Sequence, residues 1–210
     1  MTADLASKRV TLDACLHALG RTLIAYSGGV DSAFLAWAAH QLLGHHMLAV
    51  IADSPSLART HLTDAVAFAK EHDIPLEIVP TAELDRPEYA RNDASRCFHC
   101  KDELFDVMEN FRRARGFDSI AYGVNVDDQG EFRPGQQAAR QHHVAAPLLE
   151  ASLTKQEIRE LARALTAPMA AEFARIFKGL GFKFVTLDLE GFRSGSMNSL
   201  LPPEEQRRSS

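Results

Sequence analysis

The sequence predicts an α/β chain built on a parallel, doubly wound sheet, and three observations carry that expectation. Short β-prone runs alternate with helix-forming segments along most of the chain. A glycine turn, Ser27-Gly28-Gly29, joins the first such run to the helix after it. No internal repeat or low-complexity segment breaks the alternation. The 210 residues carry 23 Lys and Arg against 28 Asp and Glu, a formal charge of −5, and 46% are hydrophobic. Such a chain buries a core without staples. Its acidic balance lacks the basic stripe of a nucleic-acid binder. The longest purely apolar stretch, Met47 to Ala52, is far below the roughly 18 residues of a membrane span. The expectation is a cytoplasmic chain that works on small molecules.

In order along the chain, Leu12, Cys15, Leu16 and Leu19 recur at helical spacing up to Gly20, which makes Cys15 a core residue. Thr22 to Tyr26 reads as a strand, and Ala33 to Leu43 as a helix ended by Gly44. Met47 to Ala52 is the next strand, Leu57 to Glu71 a helix, Leu76 to Val79 a strand, Lys101 to Arg115 a helix and Ser119 to Gly123 a strand. Between Pro80 and Lys101 the chain loses periodicity, which predicts a long loop leading into Cys97-Phe-His-Cys100. Thr154-Lys-Gln-Glu157 fits a capping box opening a helix to about Leu165. A further helix, Ala170 to Leu180, and a strand, Lys183 to Leu189, are expected before a disordered tail. The expected organisation is a main domain over 1–165, a short α+β appendage over 166–200 and a tail over 201–210.

The segment richest in chemistry is Ser27-Gly28-Gly29-Val30-Asp31-Ser32. Between a strand and a helix, backbone N–H groups and the positive helix end converge on an anion. It is neither a Walker A loop nor a dinucleotide-binding turn, which need other spacings. Asp31 inside a phosphate loop would repel phosphate unless a divalent cation lies between them, so Mg²⁺ is expected with the nucleotide. Read without that context, the same string is a tight turn with two capping side chains.

In context the string resembles the PP-loop of ATP pyrophosphatases, the adenine nucleotide alpha hydrolase-like enzymes that cut ATP between the α and β phosphates. That resemblance implies that Ser27, Gly28, Gly29, Val30 and Ser32 hold the pyrophosphate moiety and that Asp31 serves Mg²⁺. It extends through Ala52-Asp-Ser-Pro-Ser-Leu57, Arg96-Cys-Phe-His-Cys-Lys101, Gly123-Val-Asn-Val-Asp-Asp128, Arg133-Pro-Gly135, Ala146-Pro-Leu148 and Leu187-Asp-Leu-Glu-Gly-Phe-Arg-Ser-Gly-Ser-Met-Asn198. Together these resemble LarE, the ATP-dependent sulfur transferase of nickel-pincer nucleotide cofactor biosynthesis. What the resemblance implies is adenylylation of a pyridinium dicarboxylate mononucleotide, followed by capture of the acyl group by sulfur. One branch of that family sacrifices a cysteine; in another, three cysteines hold an iron–sulfur cluster.

The chain departs from the family after Leu165, where members carry a Pro-Cys-Leu-x-Ser-Arg segment and further arginines; here Ala167-Pro-Met169 runs directly into the terminal helix and strand. No cysteine follows Cys100. Cys97 and Cys100 are therefore the sulfur-handling candidates, as cluster ligands, a persulfide or redox pair, half of a zinc site, or inert thiols. Lys101 could lower a thiolate pKa or touch phosphate. Asp127 and Asp128, after a strand's carboxyl end, are candidates to hold Mg²⁺ beside Asp31 or to position the acceptor, with loop solvation or capping of the next turn as the alternative. Ser54 and Gly123 are candidates for the nucleotide, and Arg133 and Arg193 for phosphate or carboxylate. His45, His46, His142 and His143 read as surface residues. The rival readings are a tRNA thiolation enzyme, which also joins a PP-loop to C-x-x-C chemistry, and a nucleotide-binding relative without turnover. Self-association is left open by the surface that a missing segment would expose.

Overall fold

The computed structural model describes residues 2–54, 57–81, 96–129 and 134–163. The order is α1 (Ala3–Ala18), β1 (Thr22–Ala25), α2 (Val30–Leu43), β2 (Met47–Asp53), α3 (Arg59–Glu71), β3 (Leu76–Pro80), α4 (Arg96–Arg115), β4 (Ser119–Tyr122), α5 (Pro134–Gln141), α6 (Pro147–Glu150) and a helical stretch, α7, over 155–163. Backbone contacts divide the chain into Met1–Ala162 and Arg163–Ser210. The predicted helix at Ala170 to Leu180, the strand at Lys183 to Leu189, Arg133 and Arg193 all lie outside the described residues.

The four strands run parallel in the order β3-β2-β1-β4. β1 is central and buried along its whole length, as a strand covered on both faces must be. Its register pairs Ala25 with Val50 on one side and with Tyr122 on the other. Successive strands step from β1 to β2 to β3, and the chain then returns past β1 to β4. That reversal leaves a crevice at the carboxyl ends of β1 and β4, the place where ligands bind in open α/β sheets. One further pairing extends the sheet past β4: Tyr122 N–H donates to the Ala145 carbonyl (3.0 Å), and Ala145 N–H to that of Ile120 (2.8 Å).

One face of the sheet presents Leu23, Ala25, Val50 and Val79 to Phe105 and Met108 of α4 and to Ala138 and Ala139 of α5. α1 packs instead on α2 and α6, and right-handed crossovers put α2 and α3 on the sheet face opposite α4. α5 and α6 were not among the expected elements, and of the boundaries that differ from the sequence reading two bear on the site. α2 starts at Val30 rather than Ala33, because its first turn is also the end of the glycine loop. α4 starts at Arg96 rather than Lys101, which takes Cys97 and Cys100 out of a loop and into a helix. Nothing in Arg96-Cys-Phe-His-Cys100 breaks a helix, and Phe98 packs against the core cluster.

Cys15 is half-buried rather than core, since α1 turns Leu5, Leu12 and Leu16 inward. Burial, more than neighbouring Glu150, pushes its thiol pKa up. His142 is not a surface residue: its side chain is 15% exposed and its Nε2 lies 3.0 Å from Asp102 Oδ1.

Phe105 is fully buried and ties α4 to the sheet. Phe105→Ala should cost about 3–5 kcal/mol of unfolding free energy, read as a lower urea midpoint at unchanged slope.

Candidate active site: a phosphate cradle at the strand crossover

The loop after β1 is held by its own side chains. Ser32 Oγ donates to the Gly29 carbonyl (2.9 Å), accepts from Ser27 N–H (3.1 Å) and lies 3.0 Å from Ser27 Oγ. Gly28 sits at φ +76°, a region that L side chains rarely adopt, and a Cβ there would come within 2.8 Å of Ala65 Cβ. From α3, His61 Nε2 donates to the Ser27 carbonyl (2.6 Å), which fixes the ring's tautomer because a carbonyl only accepts. The loop delivers the chain into α2 through Gly29, an N-cap with no side-chain bond. The first turn of a 14-residue helix is thus left without a side-chain cap, the arrangement that receives an anion.

The opposite wall is the loop after β4. Gly123 packs so closely on α2 that a Cβ would lie 2.8 Å from Ser32 N and 2.9 Å from Ser32 Cα. Behind it, fully buried Asn125 donates from Nδ2 to Asp31 Oδ2 (3.2 Å) and accepts Asp127 N–H on its own Oδ1 (2.8 Å). Asp128 closes the reciprocal cap by accepting Asn125 N–H (3.1 Å). Between these loops lies an open cleft of about 450 Å³. Ser27, Gly29, Asp31, Ser32, Gly123, Asp128, Lys101, Gly135, Gln136 and Lys155 all contribute to its walls.

Asp31 is the electrostatic focus of the cleft. Its Oδ2 meets Asn125 and the Lys155 ammonium (3.6 Å), whereas its Oδ1 is buried with no hydrogen-bond partner. Burial pushes its carboxyl pKa above the ordinary range and Asp128 adds to the shift, while Lys155 and the Asn125 bond pull the other way. An anionic oxygen shielded from water and left unpaired is costly. A divalent cation takes such an oxygen as a ligand, so the residues present fit Mg²⁺ at Asp31, with Asp128 in the same cleft.

The other predicted residues divide clearly. Lys101 lines the cleft, its ammonium 5.8 Å from the ring centres of both Phe105 and Tyr122. Gly28 and Val30 shape the loop and the helix start without lining the cleft. Of the alternatives for Asp127 the structure shows a cap: it is exposed and its Oδ2 accepts Lys155 N–H (2.6 Å) at the start of α7. Ser54 is buried beyond the cleft walls, and its carbonyl accepts from Arg59 (2.7 Å), which also pairs with Asp53. Cys97 and Cys100 stand at the start of α4, and their side chains lie outside the described residues. Cys15 is on α1, across the sheet from α4, so a cluster held by three cysteines of one chain does not fit this fold. Among the described residues no group of three or more His, Cys, Asp and Glu side chains could hold a metal by itself. Also among the described residues, no helix is long and apolar enough to cross a membrane.

No protein-family profile matches the chain. Relatives do. A Synechocystis protein of uncharacterised function, slr1717, is 31% identical, with 94% of this chain and 99% of that protein covered. The pyridinium-3,5-bisthiocarboxylic acid mononucleotide synthase of Lactiplantibacillus plantarum, LarE, is 25% identical over 95% of this chain and 96% of its own. The chain belongs to the LarE-type family of PP-loop ATP pyrophosphatases. Among solved structures, the NH₃-dependent NAD synthetase of Campylobacter jejuni in complex with nitrate superposes with a TM-score of 0.61 at 16% identity, over 99% of this chain and 92% of that one. This LarE-type chain is nevertheless short. Its alignment with the Synechocystis protein runs over 265 positions, 55 more than its own 210 residues, so at least that many positions have no counterpart here.

Sequence reasoning missed Asn125, His61 and Lys155 as parts of the site. Asn125 lies inside Gly123-Val-Asn-Val-Asp-Asp128, but its role depends on a partner 94 residues away. Lys155 was visible only as the second residue of a capping box.

Asp31→Asn removes a carboxylate that the fold disfavours in its charged form. For an acid whose folded pKa is raised, the charged state weakens the fold above the folded pKa, and that penalty fades as pH falls through it. The variant without metal or nucleotide should therefore melt at a higher temperature than the parent at pH 7–8, with the gap narrowing toward acid in a series of thermal unfolding scans.

Proposed function

We propose that this chain is an adenylylating enzyme that binds Mg²⁺-ATP in the Ser27–Ser32 cradle. It activates a carboxylate of a pyridinium dicarboxylate mononucleotide for conversion to a thiocarboxylate, the LarE reaction. The observation that carries this reading is the buried, unpartnered Oδ1 of Asp31 beside an uncapped helix start at the strand crossover. A cleft of about 450 Å³ is within the usual range for a small-molecule site.

In this reading the carboxylate oxygen of the acceptor attacks the α-phosphorus, the α–β bridging bond breaks, and pyrophosphate leaves with the bond's electron pair. The acyl adenylate that remains has AMP as its leaving group. Ser27, Ser32 and the backbone N–H groups at the start of α2 hold the departing pyrophosphate. Asp31 and Asp128 would hold Mg²⁺, which when bound supplies charge neutralisation for the polyphosphate. Lys101 adds positive charge from the α4 side. Positioning and charge stabilisation of this kind are the main catalytic terms in phosphoryl chemistry. The thiolate of Cys97 or Cys100, the two cysteines of the α4 start, attacks the acyl carbon and expels AMP to form a thioester; loss of that cysteine's Cα proton to a base and cleavage of its Cβ–S bond then release the thiocarboxylate and leave dehydroalanine. Residues 1–165 form the catalytic unit, with 166–200 as an appendage and 201–210 as a tail.

The shortfall of at least 55 aligned positions favours a second reading, a nucleotide-binding relative that completes no transfer. Pyrophosphate and AMP release from Mg²⁺-ATP, with and without the pyridinium dicarboxylate mononucleotide, separates the two. The first reading expects acceptor-dependent pyrophosphate that falls by roughly 100-fold or more in Asp31→Ala, the scale of losing one charge-stabilising group. ATP-dependent thermal stabilisation without pyrophosphate would support the second.

A further inference from the structure

Lys155 opens α7, and its main chain is fixed from several directions. Asp127 accepts its N–H at 2.6 Å, and Thr154 and Glu157 exchange the reciprocal bonds of a capping box. Glu157 is itself pinned to Lys8 of α1 at 2.7 Å. The root of the side chain is therefore held while its head remains adjustable, 45% exposed on the cleft wall. That head stands 3.6 Å from Asp31 Oδ2, one atom away from the buried oxygen that has no partner.

An ammonium and a dication drawn to the same carboxylate repel each other, so occupancy by one weakens the other. The coupling is reciprocal. A cation whose only task was a structural ion pair would gain little from a position half open to solvent. One displaced from Asp31 by metal, on the wall of a cleft built for polyphosphate, meets a second anion within reach.

We propose that Lys155 is a positioning cation that exchanges with the divalent metal at Asp31. It neutralises the carboxylate while the metal is absent and turns to the polyphosphate when the metal binds. This rests on the reading of the cleft as a Mg²⁺-ATP site and adds a residue to it.

The test is a pair of titrations on the full chain, Mn²⁺ alone by calorimetry and Mg²⁺-ATP by calorimetry, for the parent, Lys155→Gln and Lys155→Arg. Removing the ammonium should tighten Mn²⁺ binding about threefold or more, because Asp31 loses its competitor, and should weaken Mg²⁺-ATP about tenfold. Lys155→Arg keeps the charge and should hold Mn²⁺ binding near the parent value. Lost packing alone would not tighten a metal site. An unchanged or weaker Mn²⁺ affinity in Lys155→Gln, or an unchanged Mg²⁺-ATP affinity, overturns the inference while leaving the ATP site standing. Should Lys155→Gln fail to fold, Lys155→Met replaces it under the same criteria. A parent chain that binds neither Mn²⁺ nor Mg²⁺-ATP overturns the site and the inference together.

Discussion

The site depends on one close approach of backbone to backbone, Gly123 against the first turn of α2. Parallel strands that step outward from β1 and then return to its other side leave their carboxyl ends splayed at β1 and β4. The loops that leave those ends can share a site only if they come within van der Waals contact. Any side chain at position 123 would meet Ser32 backbone at 2.8 Å. With hydrogen there instead, the β4 loop lies flat on the helix start, and Asn125 reaches Asp31. Asp127 in turn holds the first residue of α7, whose Lys155 ammonium reaches Asp31, so three separate segments meet on one carboxylate.

That carboxylate is held against its own preference. Burial raises its pKa, one oxygen is unpaired, and Asp128 repels it from the same cleft. A chain optimised for stability alone would place a neutral side chain here. The surrounding bonds offset part of the cost on Oδ2 and none of it on Oδ1, so the asymmetry itself points to a ligand that brings positive charge. The loop beside it shows the same bias: Gly29 gives α2 no side-chain cap, where a serine or aspartate would bond a free N–H of the first turn and stabilise the helix by about a few tenths of a kcal/mol.

Local pattern carried much of this. The strands and most helices follow from runs of β-branched residues, helix formers and glycine stops. Ser27-Gly28-Gly29-Val30-Asp31-Ser32 announces a phosphate loop because each residue's part is played within six positions of sequence. What the sequence did not disclose is tertiary. Asn125 and Lys155 acquire meaning only once β4 is set beside β1, and His61 only once α3 crosses under the Ser27 carbonyl. The start of α4 is not legible in the sequence because the polar approach to Cys97 has the composition of a loop, and it is the tertiary packing of Phe98 on the core that accompanies the helix there. Asp127 and Asp128 are adjacent and chemically identical; the turn sends one to the α7 start and the other to the cleft.

The central claim is that the cleft opens ATP between its α and β phosphates. Positional isotope exchange tests this most directly: ATP carrying ¹⁸O in the α–β bridge is incubated with the protein, Mg²⁺ and the pyridinium dicarboxylate mononucleotide, and recovered ATP is read by ³¹P NMR. Reversible formation of the adenylate predicts migration of the label from the bridge to the non-bridging β positions, dependent on the acceptor. Nucleotide that binds, with the label fixed in the bridge while ADP and phosphate accumulate, would contradict the account.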